Sequence, residues 1–429
     1  MQKSLIQNFD ELAVTSNRKM ALEIMESGLK AINTKEVIFN SVKLTGNVLN
    51  IEGQSFDLSK FKKIKIVGFG KSSPEAALAL ENILGGKIDA GVVIGLSKIN
   101  LKYIETFVGS HPRPSEVNFE AGEKIYKIAE NATEDDLVIV IVSGGGSALL
   151  CHGKEECESG IKLYDSFLKS GKTIAEINTV RKHLSFLKGG GLAKIAYPAT
   201  IVALIFSDIP GDNFENVASG PTYKDMTTVD DANKIIRENN LGEFNLIETP
   251  KEDKYFEKVH NFVLVSNQTA VEAMAQKAQE FNLETDIIST RLFDEASSVL
   301  KKIFSSKLYF HKENSVVLAA GEPSIVISPN RGKGGRNMHM GLLAIKNKTI
   351  DENTVFISFA SDGMDNSDAA GVVVDKINIK NAEKLRLDVD DYLERFDSYS
   401  FFSKAGGIIK TGPTGANVSD LMILLKKKL

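Results

Sequence analysis

The sequence predicts an α/β protein of two different domains, the first built on a parallel sheet with helices on both faces. Three observations point there. Short apolar runs rich in β-branched residues alternate with helix-length segments along most of the chain. One of those runs, Leu137–Val142, is apolar at every position, as a strand covered on both faces must be. A chain of 429 residues is also too long for one ordinary core.

Taken in order, Gln2–Ala31 reads as helix, with Leu22, Met25 and Leu29 at helical spacing. Val42–Leu44 and Val48–Ile51 flank Gly46-Asn47 as a hairpin. Ile64–Val67 is a short buried strand, and Ser73–Leu84 a helix with Pro74 in its first turn, where the missing N–H costs nothing. Strands at Gly91–Gly95 and Ile104–Val108 precede a helix at Ser115–Asn131, with Ser115 as N-cap. After Leu137–Val142 come helices at Ile161–Ser170, Ile174–His183 and Gly189–Ala196, strand Thr200–Phe206 and helix Asp230–Asn239. Gly242–Tyr255 is charged and aperiodic and reads as a linker, so the expected domains are 1–250 and 251–429.

A second alternating set follows. Strand Phe262–Val265, helix Thr269–Phe281, strand Glu284–Ile288 and helix Asp294–Ser305 lead to strands Val316–Ala319 and Ser324–Ile327. Helix Asn337–Ile345, strand Val355–Phe359, helices around Ala382–Leu387 and Tyr392–Lys404, and strand Met422–Leu425 complete it. Two α/β domains meeting at a cleft is the economical architecture.

Bulk properties exclude several function classes. The formal net charge is −4, with no like-charge block beyond Lys426-Lys427-Lys428, so there is no electrostatic footprint for nucleic acid. No apolar run approaches a membrane span, and the polar N-terminus is unlike a secretory signal. Cys151 and Cys157, with His152 beside the first, are too few ligands for zinc and read as ordinary thiols of a reducing, cytoplasmic compartment.

Chemistry concentrates at strand ends. Leu137–Val142 breaks into Ser143-Gly144-Gly145-Gly146-Ser147, where glycines let backbone N–H groups turn toward an anion without Cβ interference. Gly68-Phe69-Gly70-Lys71-Ser72 also follows a strand and opens a helix. A Walker A loop would need glycine at Lys65, and a dinucleotide fingerprint would need one at Ser73. What survives is Lys71 at a helix start, favourable for an anion. Ser147 is no hydrolase nucleophile, because the elbow motif would need glycine at Leu149.

Asn178–His183 before Lys188-Gly189-Gly190-Gly191 offers Arg181 and Lys182, and an arginine fork binds carboxylate or phosphate bidentately. Asp208 and Asp212 follow a strand, as do Asp362, Asp365 and Asp368, whose spacing is not that of an EF-hand. Gly332-Lys333-Gly334-Gly335-Arg336-Asn337 opens a helix and has the makings of a second anion site. His111-Pro112-Arg113-Pro114 is a rigid turn from which either cation could face a ligand.

These stretches, in this order, resemble the class II glycerate 2-kinase family, whose C-terminal half is the MOFRL domain. The matching runs are Val67–Ser73, Gly109–Pro114, Val142–Leu150, Ile177–Ala193, Ser207–Asn213, Ala218–Thr222, Gly332–Asn337, Ser361–Gly371 and Thr411–Leu421. The resemblance implies a Rossmann-like N-terminal domain, a different C-terminal α/β domain and an active site in the cleft between them. It implies transfer of a phosphoryl group from ATP, with Mg2+, to the 2-hydroxyl of D-glycerate. It places catalytic or substrate-binding roles on Lys71 and Arg336.

The expected roles follow from that chemistry. Ser143, Gly144, Gly145, Gly146, Ser147, Arg181 and Lys182 would hold the acceptor. Gly332, Lys333, Gly334, Gly335 and Asn337 would hold the nucleotide. Asp208 would join Lys71 and Arg336 in catalysis, and Asp212 and Asp362 would serve the metal. The partners are small molecules, with neither nucleic acid nor membrane, and the oligomeric state is left open, a homodimer being one arrangement.

The chain departs from the family's pattern at Ala320-Gly321-Glu322-Pro323-Ser324, at Ala360-Ser361-Asp362-Gly363, and at His339, where a glutamate is common. The alternative function is a nicotinamide-dependent hydroxypyruvate reductase. Asp89 lies near the right distance for one, but the fingerprint is broken at Ser73.

Overall fold

A computed structural model describes residues 4–170, 174–209, 211, 213–325 and 332–428. They form two compact units, Thr34–Leu264 and Met1–Asn33 with Val265–Leu429.

The first unit opens with an antiparallel meander of β1 (Val42–Thr45), β2 (Val48–Ile51) and β3 (Gln54–Asp57). Its main sheet holds β4 (Lys63–Phe69), β5 (Ala90–Gly95), β6 (Glu105–Val108), β7 (Asp136–Ser143), β8 (Thr200–Phe206) and β9 (Val259–Val265) in the order β6-β5-β4-β7-β8-β9. Pairing from β6 through β8 is parallel. Every residue of β7 is buried, as its unbroken apolar run requires. Val67, Phe69, Val138, Val140 and Val142 pack with Ala121, Ile125 and Leu192 from two helices. The alternate residues Ile66, Ile139 and Ile141 are equally inaccessible, so both faces are covered. Strand order reverses between β4 and β7, where open α/β sheets bind ligands.

The second unit has β10 (Glu284–Leu292), β11 (Asn314–Gly321), β12 (Thr354–Ala360), β13 (Gly371–Val374), β14 (Ile408–Ile409) and β15 (Asp420–Lys427). Their order is β10-β11-β15-β12-β13-β14, parallel between β10 and β11 and antiparallel elsewhere. The last strand of the chain therefore lies inside the sheet, which is why its residues Leu421–Leu425 are fully buried.

Several expectations need correction. The chain divides after Leu264 rather than at 250, because β9 joins the first sheet. The expected linker is packed down: Ile247 N–H donates to His183 O at 2.8 Å and Thr249 Oγ1 to Asp225 at 3.1 Å. Residues 1–33 belong with the C-terminal unit, where helix Ser16–Ala31 lies on helix Asn267–Glu280. Gly28 permits that approach, since a Cβ there would stand 2.8 Å from Met274 Cγ.

The stretch expected as one helix at Tyr392–Lys404 is two, Val389–Glu394 and Ser398–Ala405, separated at Phe396 in the left-handed region (φ 49°). Of the strand expected at Ser324–Ile327, Ser324 forms a single bridge with Glu295, and the run continues outside the described residues. Cys151 and Cys157 are not free thiols but a disulfide with Cα atoms 5.5 Å apart. Gly153 (φ 81°) reverses the chain between them, a turn that a count of zinc ligands overlooks.

The N-terminal helix is anchored by a buried fork. Arg18 Nε and Nη2 donate to Asp375 at 2.6 and 2.7 Å, and Nη2 also donates to Asn378 Oδ1 at 2.7 Å. Removing one partner of a buried pair strands the other charge. Arg18→Ala is therefore expected to destabilise this unit by about 3–5 kcal/mol, read from its urea unfolding transition.

Candidate active site

At the switch point the turns leaving β4 and β7 touch. Gly70 has φ 120°, and a Cβ on it would sit 2.2 Å from Ser143 Oγ. Lys71 N–H donates to Gly144 O at 2.8 Å and Ser72 N–H to Ser143 Oγ at 3.1 Å. Ser143 is fully buried and spends its hydroxyl tying the two turns together. The three glycines that follow each meet a different neighbour. A Cβ on Gly144 would stand 2.2 Å from Asp208 Oδ2, one on Gly145 3.2 Å from Lys71 Cγ and 3.3 Å from His111 Cδ2, and one on Gly146 2.6 Å from Ala218 Cβ. Gly145 also takes φ 79°, which disfavours any side chain.

Three nitrogenous side chains surround this turn. Lys71 and His111 lie against Gly145. His111 keeps an accessible edge, yet the surrounding protein, and then the charges of Lys71 and Arg181, push its imidazole down to about 4. Burial lowers Arg181 to about 10, which leaves it charged at neutral pH. Arg181 Nη1 donates to Asn178 Oδ1 at 2.9 Å, Ser219 Oγ to the same oxygen at 3.3 Å, and Ser219 Oγ lies 2.9 Å from Ser147 Oγ. A polar chain thus links Ser147 to Arg181. Ser147, Cys151, Tyr164, Arg181 and Lys188 line a cavity of about 20 Å³, room for roughly one water.

Other expected cations are committed elsewhere. Lys182 is buried with its ammonium 3.2 Å from Asp225, so it is a structural partner rather than an acceptor ligand. Lys188 pairs with buried Glu156 at 2.7 Å. Arg113 meets Asp165 at 2.6 Å on the exposed surface, leaving His111 as the member of its turn that faces the glycines.

In the second unit, the helix Arg336–Lys346 starts beside Asp420, the first residue of β15. Arg336 Nε donates to Asp420 Oδ2, and its Nη2 lies 3.5 Å from Glu322. Asn337 Nδ2 bridges Asp420 at 2.9 Å and Asp365 at 3.1 Å, while its Oδ1 accepts from Ser358 Oγ at 2.6 Å. Asp365 also accepts the N–H groups of Asn337 and Met338 at 3.1 and 2.8 Å. Burial pushes Asp420 up to about 7, against the pull of Arg336 and Asn337, and raises Asp365 as well. A cavity of about 440 Å³ opens here, lined among others by Glu322, Arg336, Asp362, Asp365 and Asp420.

Several nucleotide assignments read differently in this geometry. Asn337 is buried and occupied by two carboxylates and a hydroxyl. Gly332 N–H donates to Arg395 O at 2.8 Å and Lys333 N–H to Asp397 Oδ1 at 3.1 Å, so two of the loop's donors are consumed. Lys333 Nζ pairs with Asp368 at 2.7 Å and sits 3.8 Å over the ring of Tyr399. Gly334 and Gly335 allow close approach of Ser398 and Asp365. Asp362 accepts Met364 N–H at 3.0 Å and remains on the cavity wall. Asp212 lies outside the described residues. His339 stacks on Phe396 at 5.4 Å.

Sequence reasoning missed Asp420, Asn178 and Ser219, and left Asp365 and Glu322 without roles. Asp420 carried a signal, as the polar residue opening a fully apolar strand after a glycine-rich loop.

Two family descriptions match the chain: a domain of unknown function, DUF4147, over residues 20–246, and the MOFRL family over residues 315–420. A glycerate 2-kinase of Pyrococcus horikoshii is 35% identical, covering 95% of this chain and 97% of that one. The crystal structure of a glycerate kinase from Thermotoga maritima superposes with a TM-score of 0.82 at 31% identity, covering 95% of this chain and 99% of that one. An Agrobacterium vitis protein provisionally named hydroxypyruvate reductase is 33% identical, covering 84% of this chain and 86% of that one.

Two measurements probe the glycine turn. Gly144→Ala is expected to displace the Asp208 carboxyl, abolishing ligand binding at the turn while circular dichroism stays unchanged. In a histidine-resolved NMR titration His111 should stay neutral until pH approaches about 4. A folded-state value below the unfolded one means the unfolded chain binds this proton first, so acidification from about 6.5 to about 4 costs stability. A midpoint near 6.5 would show that neither the surrounding protein nor the two cations hold the ring neutral.

Proposed function

The chain belongs to the class II glycerate 2-kinase family, and on that premise we propose that it phosphorylates D-glycerate on the 2-hydroxyl with ATP as donor. The observation that carries the reading is the packing of Lys71, His111 and Asp208 against a glycine turn whose Ser147 is joined to Arg181 through Ser219 and Asn178. This is a small-anion site with a carboxylate at its edge.

Phosphoryl transfer asks a protein mainly for positioning and for positive charge around the transferring group. In this reading Lys71 and Arg181 take the glycerate carboxylate, with Ser147 and the backbone of Gly144–Gly146 fixing its orientation. Asp208 accepts the hydroxyl proton as the oxygen attacks. Arg336 offers its outer guanidinium edge to the negative charge on the phosphoryl group. The 440 Å³ cavity beside it receives the nucleotide.

Magnesium is part of the proposal. Among the described residues no three or more His, Cys, Asp or Glu side chains gather as a metal cluster. A nucleotide-borne magnesium needs only one or two protein carboxylates, and Asp362 on the cavity wall fits that part. Bound there, the ion would neutralise phosphate charge. A cytoplasmic setting is part of the proposal, but the Cys151–Cys157 disulfide removes the free thiols that suggested it, and cell fractionation followed by immunoblotting checks it.

The deciding assay supplies D-glycerate, ATP and magnesium in one arm, and hydroxypyruvate with NADH in the other. Formation of 2-phosphoglycerate is expected in the first and no NADH oxidation in the second; the reverse would install the reductase reading. Lys71→Ala and Arg336→Ala are each expected to lower kcat about 10²–10³-fold in folded protein. Near-normal turnover in both variants removes these role assignments.

A further inference from the structure

The carboxylate of Asp420 has two oxygens and meets two donors, both from the first turn of one helix. Oδ2 accepts from Arg336 Nε, and Oδ1 accepts from Asn337 Nδ2 at 2.9 Å. The residue is 2% exposed and sits at the mouth of the sheet, paired with Gly321 at the end of β11 and Ala360 at the end of β12. Ser419 before it takes a left-handed backbone (φ 75°) and donates its N–H to Asn417 Oδ1 at 3.2 Å. Asn337 is held in turn by Asp365 and Ser358. Arg336 is therefore gripped on its inner side, with Nε taken, while its outer edge borders the cavity near Glu322.

We propose that Asp420 is the positioning residue for Arg336, fixing the guanidinium through Nε so that its terminal nitrogens face the phosphoryl group. Burying a carboxylate is costly, and here that cost is matched by two donors that need two acceptor oxygens. An amide in its place would present N–H₂ to one of two donors, so no neutral isostere can hold both Arg336 and Asn337. The charged groups facing Asp420 are Arg336 and Asp365, with Glu322 and Asp362 on the same cavity wall.

This rests on the reading of Arg336 as a phosphoryl contact, and the test separates the two. Steady-state kinetics are measured for the wild type, Asp420→Asn, Arg336→Lys and the double variant, with folding checked by circular dichroism. Asp420→Asn is expected to lower kcat about a hundredfold, the scale of a misplaced group, with KM for D-glycerate within about twofold. In the Arg336→Lys background the same change should have little further effect. The wild-type kcat should fall as acidification protonates Asp420, and that limb should vanish in Asp420→Asn.

An unchanged kcat, or an equal loss in both backgrounds, overturns the positioning role while leaving the kinase reading intact. If Arg336→Ala turns over normally, the assignment of Arg336 fails first and Asp420 with it. Should Asp420→Asn not fold, Asp420→Ser, which keeps a small acceptor for Asn337, carries the same cycle.

Discussion

The closeness of two strand ends governs the first unit. β4 and β7 pair residue for residue as far as Phe69 and Val142, and the chains leaving them stay in contact through Lys71 N–H and Gly144 O. That contact leaves no room for a Cβ at Gly70, and Asp208 and Ala218 leave none at Gly144 and Gly146. Glycine gives up more backbone freedom on folding than any other residue. The return is convergence. Lys71 from the first turn, His111 from a proline-rich turn and Asp208 from the end of β8 reach the same few ångströms of backbone, and Arg181 from a helix joins Ser147 through Asn178 and Ser219. Larger side chains at the glycines would hold these four apart.

Charge is sorted around that turn by partner. Lys182, Lys188 and Arg181 lie within one short stretch, but the two lysines each have a buried carboxylate, Asp225 and Glu156. Among the described residues Arg181 has no carboxylate in ion-pair range and leans on the neutral amide of Asn178. A buried cation already paired is part of the framework. One held by a neutral acceptor keeps its field for an arriving anion.

The parallel sheet was legible because its strands are continuous apolar runs. The glycine turn was legible because three consecutive glycines after such a strand cost backbone entropy that a plain turn does not require. The division of the chain was less legible. Aperiodic, charged 242–255 has little regular structure, but hydrogen bonds to His183 and Asp225 hold it down, and composition cannot report such long-range partners. Nor can it show that residues 1–33 pack with the unit that begins at Val265. In the site, cations were visible as cations, yet their partners decide their roles. Lys182 and Arg181 are adjacent in sequence, and helical rotation points one at Asp225 and the other at Asn178. Asp420 escaped notice because a strand boundary drawn from apolar residues begins after it.

The hydrogen bonding of the first turn also bears on the choice between phosphoryl and hydride chemistry. A dinucleotide enzyme cradles pyrophosphate with free N–H groups where the first strand enters its helix. Here those groups are spent. Gly70 N–H donates to Ile94 O at 3.1 Å, Lys71 N–H to Gly144 O at 2.8 Å, Ser72 N–H to Ser143 Oγ at 3.1 Å and Ser73 N–H to Gly70 O at 3.2 Å. The close helix–strand packing that the missing third glycine would provide is supplied by Gly95 of β5, where a Cβ would stand 2.4 Å from Pro74 Cγ. The turn keeps the shape of a dinucleotide site while its donors are consumed in bracing the neighbouring glycine turn. What remains for a ligand is side-chain charge from Lys71 and Arg181 beside a neutral His111, and charge of that kind suits a small carboxylate acceptor better than a pyrophosphate lying along a helix axis.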